Sequence, residues 1–247
     1  MKILVTGGLG FIGVNLINEL IKNKKVQIFN IDKVSYSSVP EALKNIKKNK
    51  RYHFSKLNLS NYNDLKKLFF KIKPNQIINL AAESHVDNSI SNPDIFINSN
   101  IIGTYNLLKI SNEFLNNYKI NNFKFLHVST DEVFGSLNKK QKAFTENSKY
   151  CPNSPYSASK ASSDLLVKAW GKTFNIPILI TNCSNNYGPW QNPEKLIPLV
   201  VYKCLKKENI PIYGNGLNIR DWIYVKDHIK GIMLVLKKGV ISESYNI

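Results

Sequence analysis

A tyrosine and a lysine four positions apart are the first side chains in this sequence whose spacing suggests chemistry. Tyr156 and Lys160 stand at i and i+4 in the run YSASK, so they would share one face of a helix. An ammonium group beside a phenol lowers the pKa of the phenol, and the phenolate could then act as a base near neutral pH. The same spacing is common on surface helices, so the interpretation depends on the residues around the pair.

A hydroxyl and two carboxyls follow one of the apolar runs. Thr130, Asp131 and Glu132 come directly after residues 123–129, which predict a strand. At the carboxyl end of a parallel strand, Thr130 would hydrogen-bond a substrate oxygen near Tyr156. Burial and like charge would raise the pKa of one carboxyl, giving a protonated acid beside an ionised base; the alternative is an acidic pair in a loop. Hydride transfer needs only the tyrosine, the lysine and a hydroxyl, so two further carboxyls suggest an additional step such as elimination of water.

A glycine motif near the start of the chain predicts a phosphate-binding turn. Gly7, Gly10 and Gly13 lie between a predicted strand (2–6) and a predicted helix (11–23). Glycine allows the tight turn and lets a pyrophosphate approach the backbone, where the first N–H groups of the helix face it. The alternative is a strand-to-helix turn without a ligand.

An aspartate strengthens the dinucleotide interpretation. Asp32 directly follows the second predicted strand (26–31), nineteen residues after Gly13. A carboxylate at this point accepts hydrogen bonds from the ribose hydroxyls of adenosine and repels a 2′-phosphate, so NAD is favoured over NADP. Lys33 could soften this preference, and a simple turn aspartate is the alternative.

Alternating strands and helices would position these groups. Strands are predicted at residues 2–6, 26–31, 52–57, 76–81, 123–129 and 176–181, and helices at 11–23, 61–72, 95–115 and 155–174. This order predicts an α/β fold, a Rossmann-like doubly wound parallel sheet covered by helices. The order breaks after Asn182, where Pro and Gly punctuate the chain. We therefore expect an NAD-binding domain (1–182) and a smaller C-terminal substrate-binding region (183–247) that is interleaved with it.

Composition narrows the class of protein. The 247 residues carry a net charge of +17, and 32 of the 34 basic residues are lysines. A surface that binds nucleic acid favours arginine, so we expect no nucleic-acid partner; a polyanion-binding patch is the alternative. No run of eighteen apolar residues occurs, so we expect no membrane partner. The three cysteines form neither a disulfide framework nor a zinc pattern, which predicts a cytoplasmic protein without a metal site.

Six segments carry a resemblance to a known family. They are TGGLGFIG (6–13), NLAAESHVDNSI (79–90), STDEVFGS (129–136), SPYSASKASSDLLV (154–167), TNCSNNYGPWQNPEKLIPL (181–199) and IYGNGLNIRDWIYVKDH (212–228). Together they make the chain similar to the extended short-chain dehydrogenase/reductases and, within them, to the dTDP-glucose 4,6-dehydratases. Members of that family continue past the position of Ile247, so the chain is expected to be truncated and its substrate-binding region incomplete.

The resemblance implies a reaction on a nucleotide-diphosphate sugar in which NAD takes a hydride from the sugar C4 and returns it to C6. Tyr156 would take the proton of the C4 hydroxyl, and Thr130 would hydrogen-bond the C4 oxygen. Glu132 would remove the C5 proton, while Asp131 would protonate the C6 hydroxyl that leaves as water. Lys160 would hold the nicotinamide ribose.

The resemblance also implies binding residues and an assembly. The expected cofactor residues are Gly7, Gly10, Phe11, Ile12, Gly13, Asp32, Asn58, Leu59, Ala81, Ala82, Tyr156 and Lys160. The expected substrate residues are Ser84, Thr130, Asn185, Lys195, Leu196, Tyr213 and Arg220. Asn58 departs from a frequent aspartate near the adenine, although an amide oxygen can still accept a hydrogen bond. A homodimer built on the long helices at 95–115 and 155–174 is expected.

Two other hypotheses stay open. One is a UDP-glucose 4,6-dehydratase or a nucleotide-sugar 4-epimerase of the same superfamily, although 4-epimerases are expected to lack the Asp-Glu pair after the threonine. The other is an inactive, truncated protein that still binds NAD.

Overall fold

Parallel strands form a central seven-stranded sheet. The computed structural model describes residues 1–120, 122–138, 140–212 and 214–247. The strands are β1 (Lys2–Thr6), β2 (Gln27–Asp32), β3 (Tyr52–Lys56), β4 (Gln76–Asn79), β5 (Lys124–Thr130), β6 (Ile178–Cys183), β7 (Asn185–Tyr187), β8 (Trp222–Tyr224) and β9 (Ser244–Asn246). The main sheet has the order β3-β2-β1-β4-β5-β6-β9, and each neighbouring pair is parallel. This topology confirms the Rossmann-like doubly wound fold.

Helices cover both faces of the sheet. They are α1 (Phe11–Leu20), α2 (Tyr62–Ile72), α3 (Val86–Ser91), α4 (Asp94–Phe96), α5 (Gly103–Asn117), α6 (Pro155–Phe174), α7 (Leu196–Lys206) and α8 (Val225–Lys238). A π-helical segment, Ile97–Ile102, joins α4 to α5, and short 3-10 turns lie at Pro40–Leu43 and Asp131–Phe134. Within the described ranges, no helix is long and apolar enough to cross a membrane.

Two apolar layers hold the helices on the sheet. On one face, α1 and α8 pack through residues such as Ile17, Ile229 and Ile232. On the other, α2 and α5 pack through a cluster that includes Phe69 and Phe114, whose rings meet edge-on at 5.3 Å. Strands buried on both faces need apolar residues along their length, which is why β1 and β4 have apolar centres, Ile3–Val5 and Ile77–Ile78, with polar residues only at their ends.

Polar caps fix where two helices begin. The Asn61 side chain accepts a hydrogen bond from the Asp64 N–H and starts α2. Ser154 and Ser157 form a reciprocal capping box at the start of α6, with Pro155 in the first turn. The start of α6 is therefore well defined, and Tyr156 lies in its first turn.

The long helix predicted at 95–115 is present but irregular. It runs from Asp94 to Asn117, and residues 97–102 widen into the π-helical segment. Other predicted elements are correct within a few residues, and Pro155–Phe174 matches its prediction at both ends.

The region after Asn182 rejoins the main sheet. α8 buries residues against the core, and β9 pairs with β6 at the sheet edge. β7 and β8 form a separate two-stranded parallel sheet. α7 buries no residue. The division into residues 1–182 and 183–247, and the interleaving of these two parts, stay predictions.

Candidate active site

The glycine turn lies where the strand order reverses, between β1 and β4. Gly7 has a φ of +68° and donates its N–H to Ile31 O at 2.9 Å. A Cβ on Gly7 would lie 2.7 Å from the Ala81 backbone, and one on Gly13 would lie 2.4 Å from Gly7 O. These two glycines are therefore required for the turn itself and for the close approach of α1.

The surroundings of Gly10 are more open than those of Gly7 and Gly13. A Cβ there would meet only Gly7 O, at 3.3 Å, so the space beyond it is free for another molecule. Gly10 is the N-cap of α1 and has no side-chain cap, which leaves the first N–H groups of the helix available. A diphosphate group fits this arrangement of amides. Phe11 and Ile12, both half-buried, form the first turn.

Asp32 is held rigidly beside this turn. Its Oδ2 accepts the Leu9 N–H at 2.9 Å, and its Oδ1 accepts the Val34 N–H at 2.8 Å. The adjacent Lys33 forms an ion pair with Glu83, so its charge is already partnered. The predicted preference for a ribose over a 2′-phosphate at Asp32 therefore has a geometric basis.

An open depression of about 510 Å³ lies beyond Asp32, lined by residues that include Lys33, Val34 and Asn58. Asn58 is exposed, and its Oδ1 accepts the Ser60 N–H. Leu59 is only 6% exposed, packs in the core, and offers its carbonyl to the Asn106 side chain. Of these two predicted cofactor residues, Asn58 has a side chain at the surface and Leu59 does not.

The loop after β4 carries Ala81, Ala82 and Ser84. Asn100, from the π-helical segment, accepts the Glu83 N–H at 2.8 Å and donates to Glu83 O at 3.1 Å. Its amide also donates to Ser159 Oγ at 2.8 Å, which ties the loop to α6. The Ser84 side chain is exposed.

Thr130, Asp131, Glu132 and Tyr156 come together at the carboxyl end of β5. Thr130 Oγ1 accepts the Glu132 N–H at 3.2 Å and donates to Asp131 Oδ1 at 3.3 Å. Thr130 and Tyr156 are each 8% exposed. Thr130 and Glu132 both act on the Tyr156 phenol, so the structure brings these four residues together, while their shared catalytic role stays a prediction.

The two carboxyls have different electrostatic neighbours. Burial raises the pKa of both Asp131 and Glu132. Asp131 adds to the rise at Glu132, which Arg220 and Lys195 oppose. At Asp131, hydrogen bonds from Thr130 and the backbone oppose the rise, and Asp221 adds to it. Both pKa values are therefore raised, and the assignment of Asp131 as acid and Glu132 as base stays a prediction.

The expectation that Lys160 lowers the pKa of Tyr156 is wrong for this structure. Burial, reinforced by Glu132 and Cys183, raises the pKa of the phenol well above its usual value. The Lys160 ammonium instead donates to the backbone carbonyl of Val128 at 2.8 Å. Sharing one helix face was therefore insufficient to predict where the lysine side chain bonds.

A buried polar cluster behind this pair was not predicted. Asp164, one turn beyond Lys160, accepts hydrogen bonds from Ser129 and Tyr150, and His127 lies beside it. Spacing could have indicated it, because Asp164 continues the i, i+4, i+8 face of Tyr156 and Lys160.

The other predicted substrate residues belong to the region after Asn182. The N–H and the Nδ2 of Asn185 both donate to Asp221 O, which fixes the start of β7. Arg220 is exposed, and its Nη1 donates to Ile219 O at 2.8 Å. Burial lowers the pKa of Lys195, and the carboxylates of Glu194 and Glu132 oppose this fall. Leu196 is 49% exposed at the start of α7, and Tyr213 lies outside the described residues.

The fold and the site define an extended short-chain dehydrogenase/reductase, with a dinucleotide turn beside a buried tyrosine, a lysine and two carboxyls. A family model described as GDP-mannose 4,6 dehydratase matches residues 4–247. The chain belongs to this family of sugar-nucleotide dehydratases, and its resemblance to the dTDP-glucose 4,6-dehydratases within it is confirmed.

Relatives and solved structures place it more closely. The chain is 46% identical to the dTDP-glucose 4,6-dehydratase of Salmonella typhimurium, over 100% of this chain and 72% of that protein. It is similar to the crystal structure of dTDP-glucose 4,6-dehydratase from Bacillus anthracis in complex with NAD, with 43% identity and a TM-score of 0.89, covering 100% of this chain and 75% of that one. A UDP-glucuronic acid 4-epimerase from Bacillus cereus is less similar in sequence, with 32% identity at a TM-score of 0.89 and coverage of 100% and 77%.

Proposed function

We propose that this protein catalyses the NAD-dependent dehydration of dTDP-glucose to dTDP-4-keto-6-deoxyglucose. The observation that carries the proposal is the buried group formed by Thr130, Asp131, Glu132 and Tyr156 beside a dinucleotide turn. Relatives and NAD-bound neighbours named as dTDP-glucose 4,6-dehydratases support it.

NAD fits the cradle that the chain offers. Gly10 and the first amides of α1 would hold the diphosphate, Asp32 would hold the adenosine ribose, and Asn58 would lie near the adenine. When bound, NAD supplies the site that accepts a hydride from the sugar and later gives it back. Lys160 would hold the nicotinamide ribose.

The side chains of the site perform the proton transfers. Tyr156 would take the proton of the C4 hydroxyl, whose oxygen Thr130 holds by a hydrogen bond. The positive charges of Lys160 and of bound NAD would have to offset the burial that raises the pKa of the phenol. Oxidation at C4 makes the C5 hydrogen acidic, and Glu132 would remove it as a proton. Asp131, whose pKa burial raises, would give a proton to the C6 hydroxyl as it leaves as water. C5 would regain a proton when the hydride is returned to C6.

Positive charge near Glu132 would receive the diphosphate of the substrate. Arg220 can form the paired contacts that a diphosphate favours, and Lys195 lies close enough to act on the same carboxylate, Glu132. Ser84 and Asn185 would lie against the sugar and the diphosphate, and Leu196 and Tyr213 would frame the nucleotide.

The Asp-Glu pair favours elimination over epimerisation. A 4-epimerase only removes and returns hydride at C4, so it has no use for an acid and a base at C5 and C6. We expect purified protein to convert dTDP-glucose into a 4-keto-6-deoxy sugar, detected by its absorbance in alkali. A faster reaction with UDP-glucose, or a galactose product, would overturn the assignment.

We further propose a homodimer built on α6 and the helix that runs from α4 to α5. These helices expose apolar side chains, among them Ile97 (45% exposed) and Leu165 (58%). Light scattering during gel filtration tests this: the parent should elute as a dimer, and Leu165→Glu as a monomer. Leu205→Glu on α7 is the control, because Leu205 is also exposed (79%) but lies on another helix. A monomeric parent would exclude the dimer.

We place the enzyme in the cytoplasm. Its three cysteines are free thiols, two of them exposed, which suits a reducing compartment.

A further inference from the structure

We propose that Asp164 is the counter-ion that keeps Lys160 a cation, with His127 as a neutral spacer between them. Asp164 would be a positioning residue, because it acts on the reaction through Lys160. This inference rests on the proposed function for its catalytic consequence, but its structural part concerns only this chain and its affinity for NAD.

The first observation is the shared helix face. Tyr156, Lys160 and Asp164 follow one another at i, i+4 and i+8 on α6, facing the sheet. Lys160 is 4% exposed and Asp164 is 0% exposed. An isolated charge at such depth is strongly unfavourable, so each needs a partner.

The second observation is how Asp164 is bound. Its Oδ2 accepts hydrogen bonds from Ser129 Oγ (2.8 Å), Tyr150 OH (3.0 Å) and Asn182 Nδ2 (3.3 Å). These three donors are neutral, so they orient the carboxylate without cancelling its charge. Burial alone would raise the pKa of Asp164, but His127, Lys160 and Ser129 together lower it, so the group is an anion.

The third observation fixes the proton of His127. Thr6 Oγ1 donates to Asn79 Oδ1 at 2.6 Å, which turns the Asn79 amide nitrogen towards His127 Nδ1, at 3.0 Å. Nδ1 is therefore an acceptor, and the single proton of the neutral ring lies on Nε2. Burial and Lys160 lower the pKa of His127 to about 4, so the ring stays neutral at physiological pH.

His127 Nε2 contacts both charges of the pair. It lies 3.3 Å from Asp164 Oδ1 and 3.4 Å from Lys160 Nζ. Since Nε2 carries a hydrogen, it cannot accept one from Lys160, and its contact with Asp164 is electrostatic, because Asp164 Oδ1 has no hydrogen-bond partner among the described residues. Lys160 donates instead to Val128 O, at 2.8 Å.

The charge on Lys160 depends on few groups. Burial lowers the pKa of Lys160, and Asp164, followed by Cys183, opposes the fall. The other titratable groups that face the pair are His127, which is neutral, the phenols of Tyr150 and Tyr156, and Lys168, whose ammonium lies 3.5 Å from Tyr150 OH. Glu132 and Asp131 act on Tyr156 from the 3-10 turn that follows β5. Loss of the Asp164 charge would therefore let Lys160 lose its proton at lower pH.

The test compares two changes at the same carboxylate. Asp164→Asn removes the charge and keeps the shape, whereas Tyr150→Phe removes one neutral donor and keeps the charge. In Asp164→Asn, we expect the alkaline limb of the pH profile of kcat/KM to shift to lower pH by about one unit or more. In Tyr150→Phe, the limb should stay at the pH of the parent. Equal shifts in both variants, or no shift in Asp164→Asn, would overturn the proposal.

Affinity for NAD gives a second readout that needs no turnover. Because Lys160 would hold the nicotinamide ribose, NAD binding should weaken as the pH rises and Lys160 loses its proton. In Asp164→Asn, this weakening should begin at a lower pH than in the parent. Lys160→Met should remove this pH dependence, and adding Asp164→Asn to Lys160→Met should change nothing further. An additive loss in the double variant would show that Asp164 acts independently of Lys160.

A third measurement covers the case in which Asp164→Asn does not fold. ¹⁵N NMR of the lysine side chains in the parent, assigned with Lys160→Met, should show a protonated Lys160 at pH 7. A neutral Lys160 at that pH would overturn the proposal. If the parent binds NAD but turns over no nucleotide sugar, the proposed function fails, while the NAD and NMR experiments still decide the role of Asp164.

Discussion

Glu132 shows how one substitution can separate the steps of the proposed reaction. Its carboxylate would remove the C5 proton, and a base in this role contributes about 10²–10⁴-fold to the rate. We expect Glu132→Gln to lower kcat by about 100-fold or more and to abolish incorporation of deuterium at C5 in D₂O, measured by proton NMR of the sugar.

The control is Glu146→Gln, because the Glu146 carboxylate accepts the Asn246 N–H and, among the described residues, makes no hydrogen bond to Thr130, Asp131, Glu132 or Tyr156. Glu146→Gln should keep C5 exchange. Normal exchange in Glu132→Gln would assign the base to another residue.

Arg220 links substrate binding to the pKa of Glu132, the proposed base. It is one of only two arginines, and it opposes the rise in the pKa of Glu132. Without it the pKa of Glu132 rises further, so the base stays protonated to higher pH. Arg220→Met should therefore move the acid limb of kcat to higher pH and raise KM for dTDP-glucose by about 10-fold or more.

Lys230→Met is the matched control for Arg220→Met, since Lys230 is an exposed cation that pairs with Asp227 on α8. It should leave both quantities at their parent values. An unchanged KM in Arg220→Met would remove Arg220 from the substrate site.

Within the β1–α1 turn, two glycines make opposite predictions. A Cβ at position 13 meets backbone at 2.4 Å, whereas one at position 10 meets only Gly7 O at 3.3 Å. Gly13→Ala should destabilise the fold by about 2 kcal/mol, seen as a lower Tm. Gly10→Ala should keep a Tm near that of the parent but lose NAD affinity in calorimetry. The reverse pattern, with Gly10→Ala unstable and Gly13→Ala unable to bind, would contradict this division of roles.

The two C-terminal helices, α7 and α8, differ in how many of their residues are buried. α8 buries six of its residues, whereas α7 buries none. A helix of 11 residues has little stability without packing. We expect the amides of α7 to exchange with solvent at least 100-fold faster than those in the centre of α8, by mass spectrometry or NMR. Equal protection would mean that another surface covers α7 in solution.

At the scale of the whole molecule, the net charge of +17 should act on the rate of substrate capture. dTDP-glucose is an anion, and a positive surface raises the rate of encounter in a way that salt screens. We expect kcat/KM to fall by about threefold between 50 and 500 mM NaCl while kcat at saturation stays constant. A constant kcat/KM would mean that the dispersed lysines do not steer the substrate.

Much of the architecture could be predicted because it depends on local patterns. Buried parallel strands need continuous apolar runs, and the turn after β1 needs Gly7 and Gly13 for steric reasons. The three-residue β9 was not predicted, because so short a segment carries no periodic signal.

Part of the site could also be predicted, because it depends on residues that are neighbours in the sequence. Thr130, Asp131 and Glu132 are adjacent in sequence, so their proximity follows from one strand end. The pKa of Tyr156 was predicted in the wrong direction, because burial and the bond from Lys160 to Val128 O depend on tertiary packing. The contact between His127 and Asp164 joins residues 37 positions apart, which a single sequence does not reveal.

The π-helical segment Ile97–Ile102 bears on which changes of length the chain can tolerate. Each residue advances a helix by about 100°, so deleting one residue here would restore a regular α-helix and turn Asn100 away from Glu83. The loop that carries Ala81 and Ser84 would then lose its tie to α6. A substitution at an exposed position of this segment changes one side chain. A deletion instead rotates all the side chains that follow it about the helix axis. The number of residues between α4 and α5 is therefore a constraint in its own right, separate from their identity.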